Sequence, residues 1–195
     1  MSRRDTWKRH RGQAAQRARK TLANPNAVIL DTETTGLGST DQILEIGILT
    51  ARGDVICDER IKVDIPIGKS ASRIHGIRQD MLTDCPRWGE FLPWIWGDLS
   101  LRGVNEIVIY NAPFDRRMIA QSSAASPDPE CHISTKAILG LDHWCAMHAY
   151  AAYVGDWQEW SGDYRWQRLP GGDHSAIGDC RATLKVLQTM AQERE

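Results

Sequence analysis

Long apolar runs are missing from this chain of 195 residues. No stretch approaches the roughly 20 consecutive apolar residues that a membrane-spanning helix needs, so no membrane partner is expected. The N-terminus is basic but has no apolar segment behind it, which argues against a secretory signal. Cysteine is scarce and ill-paired: Cys57, Cys85, Cys131, Cys145 and Cys180 make an odd number, and none forms a C-x-x-C pair. That excludes a disulfide framework and reads as reduced thiols in a cytoplasmic protein. Neither an internal repeat nor a low-complexity tract is visible, and the net charge is only −1. What remains is 42 % hydrophobic and 25 % charged residues, ordinary for one globular domain long enough to bury a full core.

The near-neutral total hides an uneven spread. Residues 1–20 carry eight of the 24 Lys and Arg and a single acid, Asp5, so positions 21–195 hold 16 basic against 24 acidic residues. The division expected is a basic, helical N-terminal arm over 1–26 and a single domain over 27–195. Ala14, Ala15, Ala18 and Leu22 give the arm a thin apolar stripe, and Asn24-Pro25-Asn26 ends it. Such an arm either adds sequence-independent attraction to phosphates or is a solvated, frayed terminus.

Beyond the arm, residues 28–30 run apolar into Asp31 and Glu33 and read as a buried central strand. Residues 42–51 and 54–63 form two further strands, joined at Arg52-Gly53-Asp54 into an antiparallel hairpin. A short helix is expected around 74–82, and an aromatic helix over 87–99 with Trp88, Phe91, Trp94, Ile95 and Leu99 in the core. Residues 104–110 form a fourth strand, followed by a helix with Pro113 in its first turn, running to about Ser122. Residues 123–131 read as loop, 138–141 as a short strand followed by a helix to Val154, and 155–173 as irregular. The final helix spans about 175–192. This order implies an α/β fold, with a mixed sheet flanked by helices.

The chemistry is concentrated at Asp31 and Glu33. Residues two apart on a strand share a face, so these carboxylates project together and repel unless something neutralises them. A divalent cation with oxygen ligands meets that need. Asp115 follows Pro113 at a helix start, and His174 and Asp179 flank the start of the last helix. Taken singly, each has a bland reading as a cap or a solvated side chain. Cys131, His132, His143, Cys145 and His148 cluster loosely, without the paired spacing of a zinc module.

Together these segments resemble the DEDD superfamily of 3′→5′ exonucleases, in the DnaQ-like branch that carries a histidine (DEDDh). Asp31-Thr32-Glu33-Thr34-Thr35-Gly36 matches its first motif, Asn111-Ala112-Pro113-Phe114-Asp115 its second, and His174 with Asp179 its third. Leu44-Glu45-Ile46-Gly47 and Ile74-His75-Gly76-Ile77 also look like family segments. Tyr110 stands where the family often has histidine, and Trp144-Cys145-Ala146-Met147 where many members have Asp-Thr, which leaves the substrate subclass open.

The resemblance implies a ribonuclease-H-like, five-stranded mixed sheet whose first three strands are antiparallel. It implies two Mg²⁺ or Mn²⁺ ions held by Asp31, Glu33, Asp115 and Asp179, with His174 as general base. Thr34, Thr35, Gly36, Leu37, His75, Asn111 and Phe114 are the implied substrate contacts, backbone N–H groups of the 34–37 turn reaching the sugar. The expected reaction is release of 5′-mononucleotides from a free 3′ end of single-stranded DNA or RNA, as proofreading with a separate polymerase or as RNA trimming. An exonuclease-like module that binds nucleic acid or a polymerase without cutting is the alternative.

Overall fold

The computed structural model describes residues 3–193. Helix α1 (Arg3–Ala23) leads into strand β1 (Ala27–Thr34), followed by β2 (Ile43–Thr50) and β3 (Val55–Arg60). Then come α2 (Lys69–His75), a 3₁₀ turn at Gln79–Leu82, α3 (Trp88–Leu101), β4 (Glu106–Ile109), α4 (Ala112–Ala124) and α5 (Pro129–Leu139). The chain closes with β5 (Asp142–Cys145), α6 (Ala146–Val154), a ribbon of β6 (Trp157–Gln158) and β7 (Asp163–Tyr164), and α7 (Ala176–Ala191). The main sheet has the order β3-β2-β1-β4-β5, antiparallel across β3-β2-β1 and parallel across β1-β4-β5. This is the expected mixed five-stranded sheet.

Strand alternation decides what each face of β1 meets. Val28 and Leu30 enter a core with α3 and α4 residues such as Phe91, Ile95 and Met118. Ile29 enters the opposite core with Ile177, Cys180 and Leu187 of α7. The C-terminal ends of β1, β4 and β5 lie along one edge of the sheet, since the three are parallel. Open sheets of this kind place ligands at that edge.

The sequence reading fails in several places, residues 155–173, read as irregular, holding the β6–β7 ribbon. Residues 129–139 form helix α5 rather than loop and strand, and the strand lies four residues later, at β5. Asp128 accepts the Glu130 N–H at 3.0 Å and Pro129 opens the helix, a helix-start pattern that the Pro-rich composition disguised as loop. β5 is an edge strand with no fully buried residue, so it lacks the apolar run that would have marked it. Trp94, expected in the core, is 61 % exposed on the outer face of α3, while Trp88, Phe91, Ile95 and Leu99 are buried.

Helix α1 packs onto α6 and α7 through buried Ala14, Ala15, Ala18 and Thr21, so it is not a frayed end. Its arginines act as clamps. Arg11 forms a bidentate pair with Glu193 at 2.7 Å and lies over the Tyr153 ring, and Arg19 donates to the carbonyl of Glu193 at 2.9 Å. Arg17 bridges Glu106 and Asp142. Much of the arm's positive charge is therefore spent on holding it to the body.

Candidate active site

Ile29, Asp31 and Glu33 alternate onto the α7 face of β1, and the apolar strand carries both acids to its C-terminal end. Opposite them in the antiparallel register stand Gly47, facing Asp31, and Glu45, facing Glu33. Thr32 points to the other face, where its hydroxyl donates to Asp115 Oδ1 at 2.7 Å. Asp115 is buried in the first turn of α4 and so reaches the strand end from the α4 side.

The third part comes from the start of α7. Ser175 caps the helix, its hydroxyl accepting from the Gly178 N–H at 3.1 Å. Asp173 accepts from the N–H and hydroxyl of Ser175. A Cβ at Gly178 would stand 1.9 Å from that Asp173 carboxylate and would push it off Ser175. Asp179 Oδ1 accepts the N–H groups of both Asp173 and His174. The lead-in to His174 is thus tied down, with His174 held at φ +62°. A left-handed φ on a non-glycine residue costs of order 1–3 kcal/mol and gathers at functional sites, with His among the residues that tolerate it best. Ligand atoms of Glu33, His174 and Asp179 lie within 4.8 Å of one another.

These acids sit in each other's fields. Burial, then Asp115, Asp179, Glu33 and Glu45, holds the Asp31 carboxyl well above the usual carboxylate range. Burial, then Asp179 and Glu45, pushes Glu33 up to about 8. Burial raises Asp115 to about 7 against the opposing Thr32 hydrogen bond, and it raises Asp179 against the two N–H groups it accepts. Hard oxygen donors that cannot all ionise near neutral pH by themselves are a fitting host for divalent cations, which would remove the repulsion.

A hollow of about 370 Å³ adjoins the acids, lined by Thr34, Gly36, Leu37, Ile74, His75 and Phe114 among others. Leu37 is 77 % exposed and Phe114 lies under the Arg117 guanidinium at 5.2 Å, so the walls are apolar and accessible. A Cβ at Gly36 would meet the Asp41 carboxylate at 2.7 Å and displace it from Thr35 and the Gly38 N–H. Two expected contacts are not on this wall. Thr35 is buried, its hydroxyl donating to Asp41 Oδ1 and its N–H to the Gln42 carbonyl, so neither is free for a sugar. Asn111 is exposed at the N-cap of α4, with no cap bond from its side chain. His75 Nδ1 accepts the Ile77 N–H, and burial keeps its pKa below the usual histidine value.

Glu45 is the residue that motif matching left without a role. It is buried, and its Oε2 accepts the N–H of Ala176, the first residue of α7, at 2.9 Å. Oε1 receives Arg60 Nε at 3.3 Å. Glu45 thereby fixes the helix start that carries His174 and Asp179. A charged residue within the otherwise apolar run 42–51 was the available signal, since buried charges are rare unless paired.

A family model of the RNase T type, described as exonuclease, matches residues 28–187. An uncharacterized exonuclease of Escherichia phage 186 is 33 % identical over 193 residues, spanning 91 % of this chain and 94 % of that protein. The PolC-type DNA polymerase III of Thermotoga maritima is 32 % identical over 178 residues, 86 % of this chain but only 12 % of the polymerase. Among solved structures, a zinc-bound complex of Escherichia coli exonuclease I with single-stranded DNA superposes with a TM-score of 0.60 at 19 % identity, covering 86 % of this chain and 41 % of that one. That likeness is one of fold, the ribonuclease-H-like sheet expected from the motifs.

Proposed function

The chain belongs to the DnaQ-like, histidine-bearing family of exonucleases, and from that premise we propose that it removes nucleotides one at a time from the 3′ end of single-stranded DNA, releasing 5′-mononucleotides. Divalent-metal dependence comes with the family. Asp31, Glu33, Asp115 and Asp179 would hold two ions, Mg²⁺ or Mn²⁺, in keeping with an all-oxygen donor set. Such ions supply Lewis acidity and charge neutralisation at the phosphate.

The chain's own groups do the rest. His174 accepts the proton of the attacking water, as an imidazole can near neutral pH. Asp179 accepts the backbone N–H of His174 and so holds its main chain, and Glu45 holds both by fixing the helix start. The hollow beside the acids takes the terminal nucleoside, its base against Leu37, Ile74 and Phe114. DNA is the favoured polymer because a PolC-type DNA polymerase III is among the relatives, and a separate polymerase is the partner that likeness suggests.

The observation that carries this reading is the meeting of Glu33, His174 and Asp179 from positions some 140 residues apart in sequence. A 5′-labelled single-stranded oligonucleotide incubated with the protein and Mg²⁺ or Mn²⁺ should shorten as a ladder from its 3′ end, and chelation should stop the reaction. Asp31→Ala should abolish cleavage, and His174→Ala should slow it by roughly 10²–10⁴-fold. Substrate left intact with both metals, or full activity in Asp31→Ala, refutes the assignment. A matched RNA oligonucleotide cut faster than the DNA would turn the reading to RNA trimming.

A further inference from the structure

Residues 155–173 take no part in the chemistry above until they reach Asp173, yet they carry the most exposed tryptophans. Trp160, at the tip of the β6–β7 ribbon, is 84 % exposed, and Trp166, just after it, is 63 % exposed. The segment is anchored at defined points. Tyr164 is buried edge-on against Trp157 at 5.3 Å, and its hydroxyl meets His10 Nδ1 at 3.1 Å. The Tyr110 hydroxyl donates to the Gln167 carbonyl at 2.8 Å, which ties the segment to the residue that follows β4. The Trp166 ring lies 5.7 Å from that of His148.

His148 borders a second open hollow, of about 520 Å³, together with Pro113 and Arg116. The first turn of α4 separates the two hollows. Phe114 faces the first, Pro113 and Arg116 face the second, and Asp115 is buried between them. Both hollows thus border the turn that carries Asp115. The charge of this hollow suits a polyanion, whereas the ribbon, with Asp156, Glu159 and Asp163, is acidic. Asp142, the acid on that wall, is paired with Arg17 at 2.7 Å, while Arg116 donates only to the Leu139 carbonyl and Arg168 is exposed with no ion pair among the described residues.

We propose that this second hollow and Trp166–Arg168 hold single-stranded nucleotides upstream of the bond being cut, the strand passing the α4 turn from a last nucleotide in the first hollow, with a base stacked on Trp166 and phosphates on Arg116 and Arg168. Exposed aromatic rings beside cations are the means by which proteins grip single strands without reading sequence. The inference rests on the exonuclease reading and deepens it, giving the enzyme a preference for substrates several nucleotides long.

The test is the length dependence of cleavage, measured as KM for a dinucleotide and for a 12-nucleotide single strand. In the wild type KM should fall steeply with length. In Trp166→Ala, and separately in Arg168→Ala, that dependence should flatten, the 12-nucleotide KM rising about tenfold where the stacking contact is lost. Both side chains are exposed, so an unchanged thermal midpoint certifies folding. Equal KM for both lengths in the wild type, or a 12-nucleotide KM within twofold of wild type in the variants, overturns the upstream groove and leaves the exonuclease reading standing. Failure of the wild type to cut either substrate overturns that reading, and this inference with it.

Discussion

Gly47 has no side chain, yet it decides how close α7 can come to the sheet. A Cβ there would stand 2.6 Å from the backbone of Ala176 and Ile177, which cannot yield as a flexible side chain would. Beside it, Glu45 accepts the Ala176 N–H, so one residue makes room for the helix start and its neighbour fastens it. Gly47→Ala should cost about 1–3 kcal/mol in denaturant unfolding, as overpacking does, and should lower kcat by displacing His174 and Asp179. Glu45→Ala should lose about 1–3 kcal/mol by orphaning a buried N–H, whereas Glu45→Gln, whose amide oxygen can still accept, should recover most of the stability. Equal stability of Glu45→Ala and wild type would show that the contact does not fix the helix.

Helix α1 shows how an element identified correctly from sequence can take a different role once packed. Its apolar stripe and its end at Asn24-Pro25-Asn26 were legible, because helical periodicity and proline act locally. That Arg11, Arg17 and Arg19 clamp it to the C-terminal end of the chain and to β4 and β5 was not, since the partners lie more than a hundred residues away in most cases. The tightest lock is Glu106, which accepts from Thr21 at 2.6 Å, Trp144 Nε1 at 2.9 Å and Asn24 at 3.0 Å. Glu106→Ala should remove roughly 2–4 kcal/mol of unfolding free energy, because several donors lose their partner at once. Glu106 begins β4, whereas the acids gather at the far end of the parallel strands, so cleavage by the folded fraction should persist. Loss of cleavage at full folding would show that α1 bears on the site. α5 and β5 teach the converse: a helix hidden behind two prolines and a strand with no apolar run were both misread, because their burial comes from neighbours rather than from their own composition.

For the whole molecule, the acid cluster couples stability, pH and metal. Glu33 rises from 4.5 to about 8 and Asp115 from 3.8 to about 7, so between about pH 5 and 8 the folded protein holds more protons than the unfolded chain. Stability therefore falls as pH rises through that window when no cation is bound. A divalent cation favours the ionised acids and reverses the trend, with protons released on binding. The metal-free thermal midpoint should drop from pH 5 to pH 8, and the gain from added Mn²⁺ should grow over the same range. A midpoint that rises with pH without metal, or a metal-induced gain independent of pH, would contradict the shared-field picture.

The sequence by itself determined the strand that bears Asp31 and Glu33, the mixed sheet around it and the five residues proposed for the chemistry, because alternation, periodicity and short motifs are written in neighbouring residues. Only the tertiary structure decided that Thr35 is buried away from the hollow, that Glu45 and Gly47 set the start of α7, and that Trp166 stands beside His148 at a second hollow bordering the first turn of α4. Those outcomes depend on which distant backbones meet and how closely, and local residue patterns carry no record of such distances.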